Sequence, residues 1–143
     1  EGERRRAYER MTIRGAIIWR STMSQVRTFR DLVAWQRSME LARAIYATTC
    51  SMPDSERFGL TMQMRRAAVS IPSNIAEGHG RQSRLDYLKH LRIARGSLME
   101  LMTQYELATD LGMIDQHSEF TNFLAETDRI LQGLIRSLER KSN

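Results

Sequence analysis

The sequence predicts an all-α fold, an up-down-up-down four-helix bundle whose second helix carries an internal proline. Three observations predict it. Apolar residues recur at steps of three and four in four successive stretches, the period of one helical face. No stretch alternates with the period of a strand. Only two prolines and eight glycines interrupt 143 residues, so long helices are permitted, and nine methionines suit their irregular packing gaps.

The first helix is expected to begin near Asp31, because Thr28-Phe29-Arg30-Asp31 has capping-box spacing. Leu32, Trp35, Met39, Ala42 and Tyr46 then define one face, and Pro53 ends the helix by Met52 because it disfavours helical backbone in the residue before it. The second helix is expected from Asp54-Ser55-Glu56, whose acids suit the positive end of the helix dipole. It runs through Leu60, Met64, Ala67, Ala68, Ile71 and Ile75. Pro72 removes the N–H that would bond to the Ala68 carbonyl, yet the apolar spacing survives across it. A kinked helix that continues to Gly78-His79-Gly80 is therefore predicted.

Ser83-Arg84-Leu85-Asp86 is a second capping box and opens the third helix. Tyr87, Leu91, Ala94, Leu98, Leu101, Tyr105 and Ala108 form its seam, and Gly112 supplies the stop. The fourth helix is expected near Asp115, with Phe120, Phe123, Thr127, Ile130, Leu134 and Leu138 on one side. Four helices of about 20–28 residues with short connections make a bundle. The third helix also carries Arg81, Arg84, Leu88, Arg92, Arg95, Met99 and Met102 within a sector of about 80°, apart from the seam. Its apolar members suggest a subunit interface and its arginines an anionic surface; a solvated face with scattered apolar residues is the plain alternative.

The formal charge of +5 is unevenly distributed. Residues 1–30 hold eight Arg and three Glu, whereas residues 31–143 are neutral in sum. Residues 57–95 carry a net +6, and residues 96–128 carry seven acids and no Lys or Arg. The chain divides into a basic N-terminal extension, 1–27, and a bundle domain, 28–143. Residues 1–22 lack a sustained apolar period, and Met11 and Met23 are both candidate starts. These residues read either as an upstream extension that adds little to the fold or as a basic arm that touches nucleic acid. A start at Met23 lowers the net charge to +2.

One cysteine, Cys50, excludes an internal disulfide and a thiolate metal site. No apolar run approaches the ~20 residues that span a bilayer, so a cytoplasmic protein without membrane contact is expected. The histidines His79, His90 and His117 are scattered and lack the i, i+4 spacing of a metalloprotease helix. Glu100, Glu106 and Asp110 lack the Glu-x-x-His partners of a di-iron bundle. Gly78-His79-Gly80-Arg81 lacks the Lys-Ser/Thr ending and preceding strand of a phosphate loop. No metal, cofactor or enzymatic activity is expected.

Three segments resemble a known family. These are Phe29-Arg30-Asp31-Leu32-Val33-Ala34-Trp35, the octet Ile71-Pro72-Ser73-Asn74-Ile75-Ala76-Glu77-Gly78, and Gly96-Ser97-Leu98-Met99-Glu100. They are similar to the 23S rRNA intervening-sequence proteins, relatives of the accessory variability determinants of diversity-generating retroelements. The resemblance covers residues 27–140. It implies a four-helix bundle assembling into a homopentameric ring, a bacterial origin and a gene often placed inside an rRNA insertion. It implies no established activity. The retroelement relatives look like accessories that bind RNA and a reverse transcriptase through basic surfaces. Ser73, Asn74, Glu77, Ser97 and Glu100 are read as helix–helix hydrogen-bonding groups near the proline rather than as a reactive cluster.

The leading expectation is a non-enzymatic oligomer that binds RNA or DNA through Arg81, Arg84, Lys89, Arg92 and Arg95, with Arg65 and Arg66 as further candidates. Guanidinium groups bind phosphates bidentately, and repeated copies of a weak patch act together. Arg65 and Arg66 would alternatively pair with the acids of the third and fourth helices. The competing expectation is a protein-binding scaffold without nucleic-acid contact.

Overall fold

A computed structural model describes residues 26–140. It contains α1 (Val33–Thr49), α2 (Leu60–His79), α3 (Arg84–Asp110) and α4 (Ser118–Arg140), with no strand among the described residues. Each helix packs on its neighbours in sequence, and α4 closes the square against α1. The basic extension lies outside the described residues, apart from Val26 and Arg27, as does the choice of start.

The Thr28–Asp31 capping box forms as expected, but it caps a single 3-10 turn, Phe29–Asp31. Leu32 is extended, so α1 begins at Val33. The second connection behaves similarly: Asp54–Glu56 is a separate 3-10 turn, and α2 begins at Leu60, whose N–H is capped by the Glu56 carboxylate at 2.9 Å. Acids near a helix start signal the turn before it as readily as the helix itself.

α2 runs unbroken through Pro72 to His79. Gly78 explains how closely α2 and α3 approach at its end. A Cβ there would meet His90 Cβ at 2.7 Å, Tyr87 Cδ2 at 3.0 Å and the Tyr87 carbonyl at 3.2 Å. Ser83 caps α3 through the Asp86 N–H. Its other end is closed by Gly112, the one described residue with positive φ, at +69°. The N–H of Met113 bonds to the Ala108 carbonyl and that of Gly112 to Thr109, a Schellman closure.

The core is made by Leu41 and Ile45 of α1, Met64, Ile71 and Ile75 of α2, Leu91, Leu98 and Leu101 of α3, and Leu131 of α4. Each such side chain contributes roughly 1.5–3 kcal/mol by leaving water. The expected α3 seam is buried except for the half-buried Tyr87. The expected α1 face is corrected in part. Leu32 and Ala42 are buried as expected, but Ala34, Arg37, Ser38, Leu41, Ile45 and Thr49 also face the core, whereas Trp35 and Met39 are half-buried and Tyr46 is exposed. α1 has two apolar stripes, and the bundle covers one.

Arg37 occupies a core-facing position at 6% exposure. It bonds Glu126 of α4 at 2.7 Å and Glu40 at 3.3 Å, and its guanidinium lies 5.7 Å from the Phe123 ring centre. Burial pushes the Glu40 carboxyl up, and Arg37 opposes the shift. At the far end, the Tyr105 hydroxyl accepts from the His117 N–H and its ring packs on Phe120, tying α3 to the start of α4.

Candidate nucleic-acid interface

The predicted polar residues near Pro72 form an interhelical chain. Ser70 and Ser97 share a hydrogen bond of 2.9 Å between α2 and α3. Asn74 Nδ2 donates to the Ser70 carbonyl and hydroxyl. Its Oδ1 lies 3.2 Å from His90 Nδ1, which makes that nitrogen the donor. Ser73 is exposed, and Glu100 pairs along its own helix with Gln104. The octet thus fastens α2 to α3. Ser70 and His90 complete the chain but lie outside the motif segments.

The basic sector of α3 sits at its seam with α4. Leu88 is buried in the core and Met102 is half-buried against it, so these two do not belong to an outer face. α3 is flanked by α2 and α4, which widens the arc it buries. Arg92 pairs with Glu139 and Arg95 with Asp128, each at 2.9 Å. Arg84 reaches the Leu138 carbonyl at 3.5 Å, and Arg81 pairs with Glu77 on α2 at 2.9 Å. Lys89 is exposed and makes no ion pair among the described residues. Exposed pairs such as Arg92–Glu139 stabilise by about 0–1 kcal/mol, so a phosphate can displace the carboxylate at little cost.

Arg92 and Arg95 line an open groove between α3 and α4 together with Arg136, Gln132 and Glu139; its apolar members are Gly96, Met99 and Ile135. Sequence reading missed the α4 contribution. Arg129, Arg136 and Arg140 are exposed and make no ion pair among the described residues. Spaced by seven and four, they share one helix face. That spacing was readable, but the acids before Arg129 masked it in regional charge sums.

Neither Arg65 nor Arg66 lines this groove, and Arg65 lies on the α1–α2 side. Arg65 Nε donates to Thr49 Oγ1 at 2.9 Å, and its guanidinium lies 4.7 Å from the Tyr46 ring centre. It secures the C-terminal end of α1 instead of pairing with acids of α3 or α4. Arg66 is exposed. Between α1 and α2 runs a second, apolar groove lined by Trp35, Met39, Tyr46, Val69 and Pro72 among others.

The model of the family described as 23S rRNA-intervening sequence protein matches residues 30–136. The chain belongs to this family. A solved family relative is a protein of unknown function from the S23 ribosomal protein family of Bacteroides thetaiotaomicron. It is 26% identical, with a TM-score of 0.66, and the match covers 73% of this chain and 96% of the relative. No curated protein matches. The matched span of the intervening-sequence family runs from Arg30 to Arg136, so it includes α1, α2, α3, the octet, α4 as far as Arg136 and every residue lining the α3–α4 groove but Glu139. Among the described residues, no helix is long and apolar enough to cross a membrane, and no group of three His, Cys, Asp or Glu side chains is placed to hold a metal ion.

Proposed function

We propose that this intervening-sequence family member is a non-enzymatic homo-oligomer that binds RNA, or other nucleic acid, through the α3–α4 face. The observation that carries the reading is the meeting of Arg92, Arg95 and Arg136 on one open groove, extended along α4 by Arg129 and Arg140. Guanidinium groups here would neutralise successive phosphates and give little sequence readout. Lys89 and Arg84 would extend the contact toward the start of α3. The apolar floor of Met99 and Ile135 suits an unstacked base or sugar more than a second phosphate.

The antiparallel helices support an oriented encounter. The α3–α4 connection end collects Asp54, Glu56, Glu106, Asp110, Asp115 and Glu119 with Arg57 and Arg65 beside them, whereas the opposite end and the α4 face hold Arg81, Arg84, Arg92, Arg95, Arg136 and Arg140. Such a charge gradient steers a polyanion to one end. By analogy with the family, copies in a pentameric ring would let five weak patches act together; the proposed setting is the cytoplasm, and a reverse transcriptase is the protein partner the analogy offers. Full-length protein should retain a structured RNA at low salt and release it steeply as salt rises. Failure to retain RNA at low salt overturns the reading.

The apolar α1–α2 groove favours a second reading, a scaffold for a protein partner. A scaffold would hold its partner in a pull-down with little salt dependence, and the α4 arginines would be dispensable.

A further inference from the structure

We infer that the α3–α4 groove is a slot for an unpaired nucleobase, so that the protein takes single-stranded RNA in preference to duplex. The inference rests on the proposed nucleic-acid binding and names the form of RNA that this groove accepts. The groove has a volume of about 440 Å3, within the roughly 300–1,000 Å3 of sites that hold small ligands. Its floor is apolar, made by Met99 of α3 and by Ile135 of α4, which is 8% exposed. A phosphate set on that floor would lose water without gaining a hydrogen bond. The face of a base loses little there, and the Met99 thioether makes favourable contact with an aromatic ring.

Gly96 opens the slot. It lies one turn from both Arg92 and Met99, on the groove side of α3. A Cβ built there meets nothing within 4 Å, so no neighbouring helix requires glycine, in contrast to Gly78. Glycine weakens a helix interior, and no packing contact explains it here. Its missing side chain leaves α3 without a wall at this point of the groove. Ser97, the next residue, faces α2 and bonds Ser70. The same family-like segment therefore fastens α3 on one flank and leaves the floor open on the other.

The polar lining suits a base as well. Asp128 accepts from both Arg95 Nε and Gln132 Nε2, which holds the two side chains together. Gln132 Oε1 makes no hydrogen bond among the described residues and can accept from the amino group of a base. Arg136 makes no ion pair among the described residues, and Arg92 is held by the exposed Glu139. Their planar guanidinium groups can stack on a base or hold the phosphate beside it. The arginines alone favour the opposite choice. Duplex carries the denser phosphate charge and releases more counterion per contact than a single strand. Its bases are stacked, and side chains cannot read them in the deep A-form groove. A preference for unpaired RNA therefore reports the slot and not the charge.

The test measures the affinity of the full chain by fluorescence anisotropy at one low salt concentration. The probes are an unstructured RNA strand, the same strand annealed to its complement, and a strand of equal length that lacks bases. Wild type should hold the unstructured strand at least about tenfold more tightly than either of the others, the strength of one stacked base. Gly96→Leu fills the slot and keeps every arginine, and the advantage of the unstructured strand over duplex should disappear. Met99→Ala strips the floor and should reduce the same advantage. Circular dichroism verifies that each variant stays helical; leucine is the better helix former, and its Cβ meets nothing at position 96. Equal affinity of wild type for the unstructured and base-free strands, or an advantage over duplex that survives in folded Gly96→Leu, overturns the slot while nucleic-acid binding stands. Wild type holding none of the probes overturns nucleic-acid binding itself, and this inference with it.

Discussion

Replacing Gly78 with alanine should destabilise the protein, although alanine is the better helix former. The added Cβ would lie 2.7 Å from His90 Cβ and 3.2 Å from the Tyr87 carbonyl oxygen. One neighbour is the root of a side chain and the other is backbone, so neither can swing aside. α2 and α3 must part, and the Asn74–His90 bond lies within that contact. Overpacking of this kind costs about 1–3 kcal/mol. The helix-propensity gain of alanine offsets roughly 0.5–1 kcal/mol of it. A net loss of about 1–2 kcal/mol remains, or some 3–6 °C in Tm for a chain of this size. Gly133→Ala is the matched control. It also lies within a helix, and nothing stands within 4 Å of its built Cβ, so it should gain about 0.5–1 kcal/mol. Urea and thermal unfolding at one fixed protein concentration measure both. Equal shifts for the two variants, or a Gly78→Ala variant more stable than wild type, would refute the claim that α2–α3 contact is what requires glycine at position 78.

Two further perturbations probe buried polar groups. The Tyr87 hydroxyl is buried without a hydrogen-bond partner, and burial pushes its phenol from 10.0 up to about 12. Tyr87→Phe should therefore be neutral to stabilising by about 1 kcal/mol at pH 7. Because the folded-state value is raised, the contribution of the protonated phenol is complete below pH 10 and is lost as pH rises toward 12. Unfolding followed between pH 9 and 12 should show a steeper loss for wild type than for the Phe variant, and parallel curves would contradict the burial argument. Glu126→Ala removes the stronger partner of the buried Arg37 and should cost about 1–3 kcal/mol, below the fully buried case because the Glu126 side chain is 38% exposed. Arg37→Met together with Glu126→Ala should recover much of that loss in denaturant unfolding, and a double variant as weak as the sum of both singles would contradict it.

The α3 seam was legible because Leu91, Ala94, Leu98, Leu101, Tyr105 and Ala108 recur at one period and are buried, whereas of the expected α4 face only Phe120 and Thr127 are buried and Leu124, Leu131 and Ile135 take the core beside them. The capping box at Thr28, the one-way Ser83 cap and the stop at Gly112 needed only local chemistry. α1 misled the reading because it has two apolar stripes. Trp35, Met39 and Tyr46 are the bulkier set, whereas the core takes the set interrupted by Arg37 and Ser38. Periodicity identifies a face, but only the neighbouring helices decide which face is inside. The octet marked a real contact, though its purpose became clear only from the approach of Tyr87 and His90 to Gly78. The basic site was half legible. Arg92 and Arg95 were found from α3 alone, but their pairing with Glu139 and Asp128, and their convergence with Arg136, depend on helix order in space.

The most direct test of the α3–α4 face is the salt dependence of RNA binding by wild type and by an Arg129→Gln, Arg136→Gln, Arg140→Gln variant. Each phosphate neutralised on single-stranded RNA contributes about −0.7 to the slope of log K against log salt concentration. Losing three such contacts should flatten the slope by up to ~2 while helical content and thermal unfolding stay unchanged. An identical slope and affinity in the variant would place nucleic-acid binding elsewhere on the molecule, or nowhere on it.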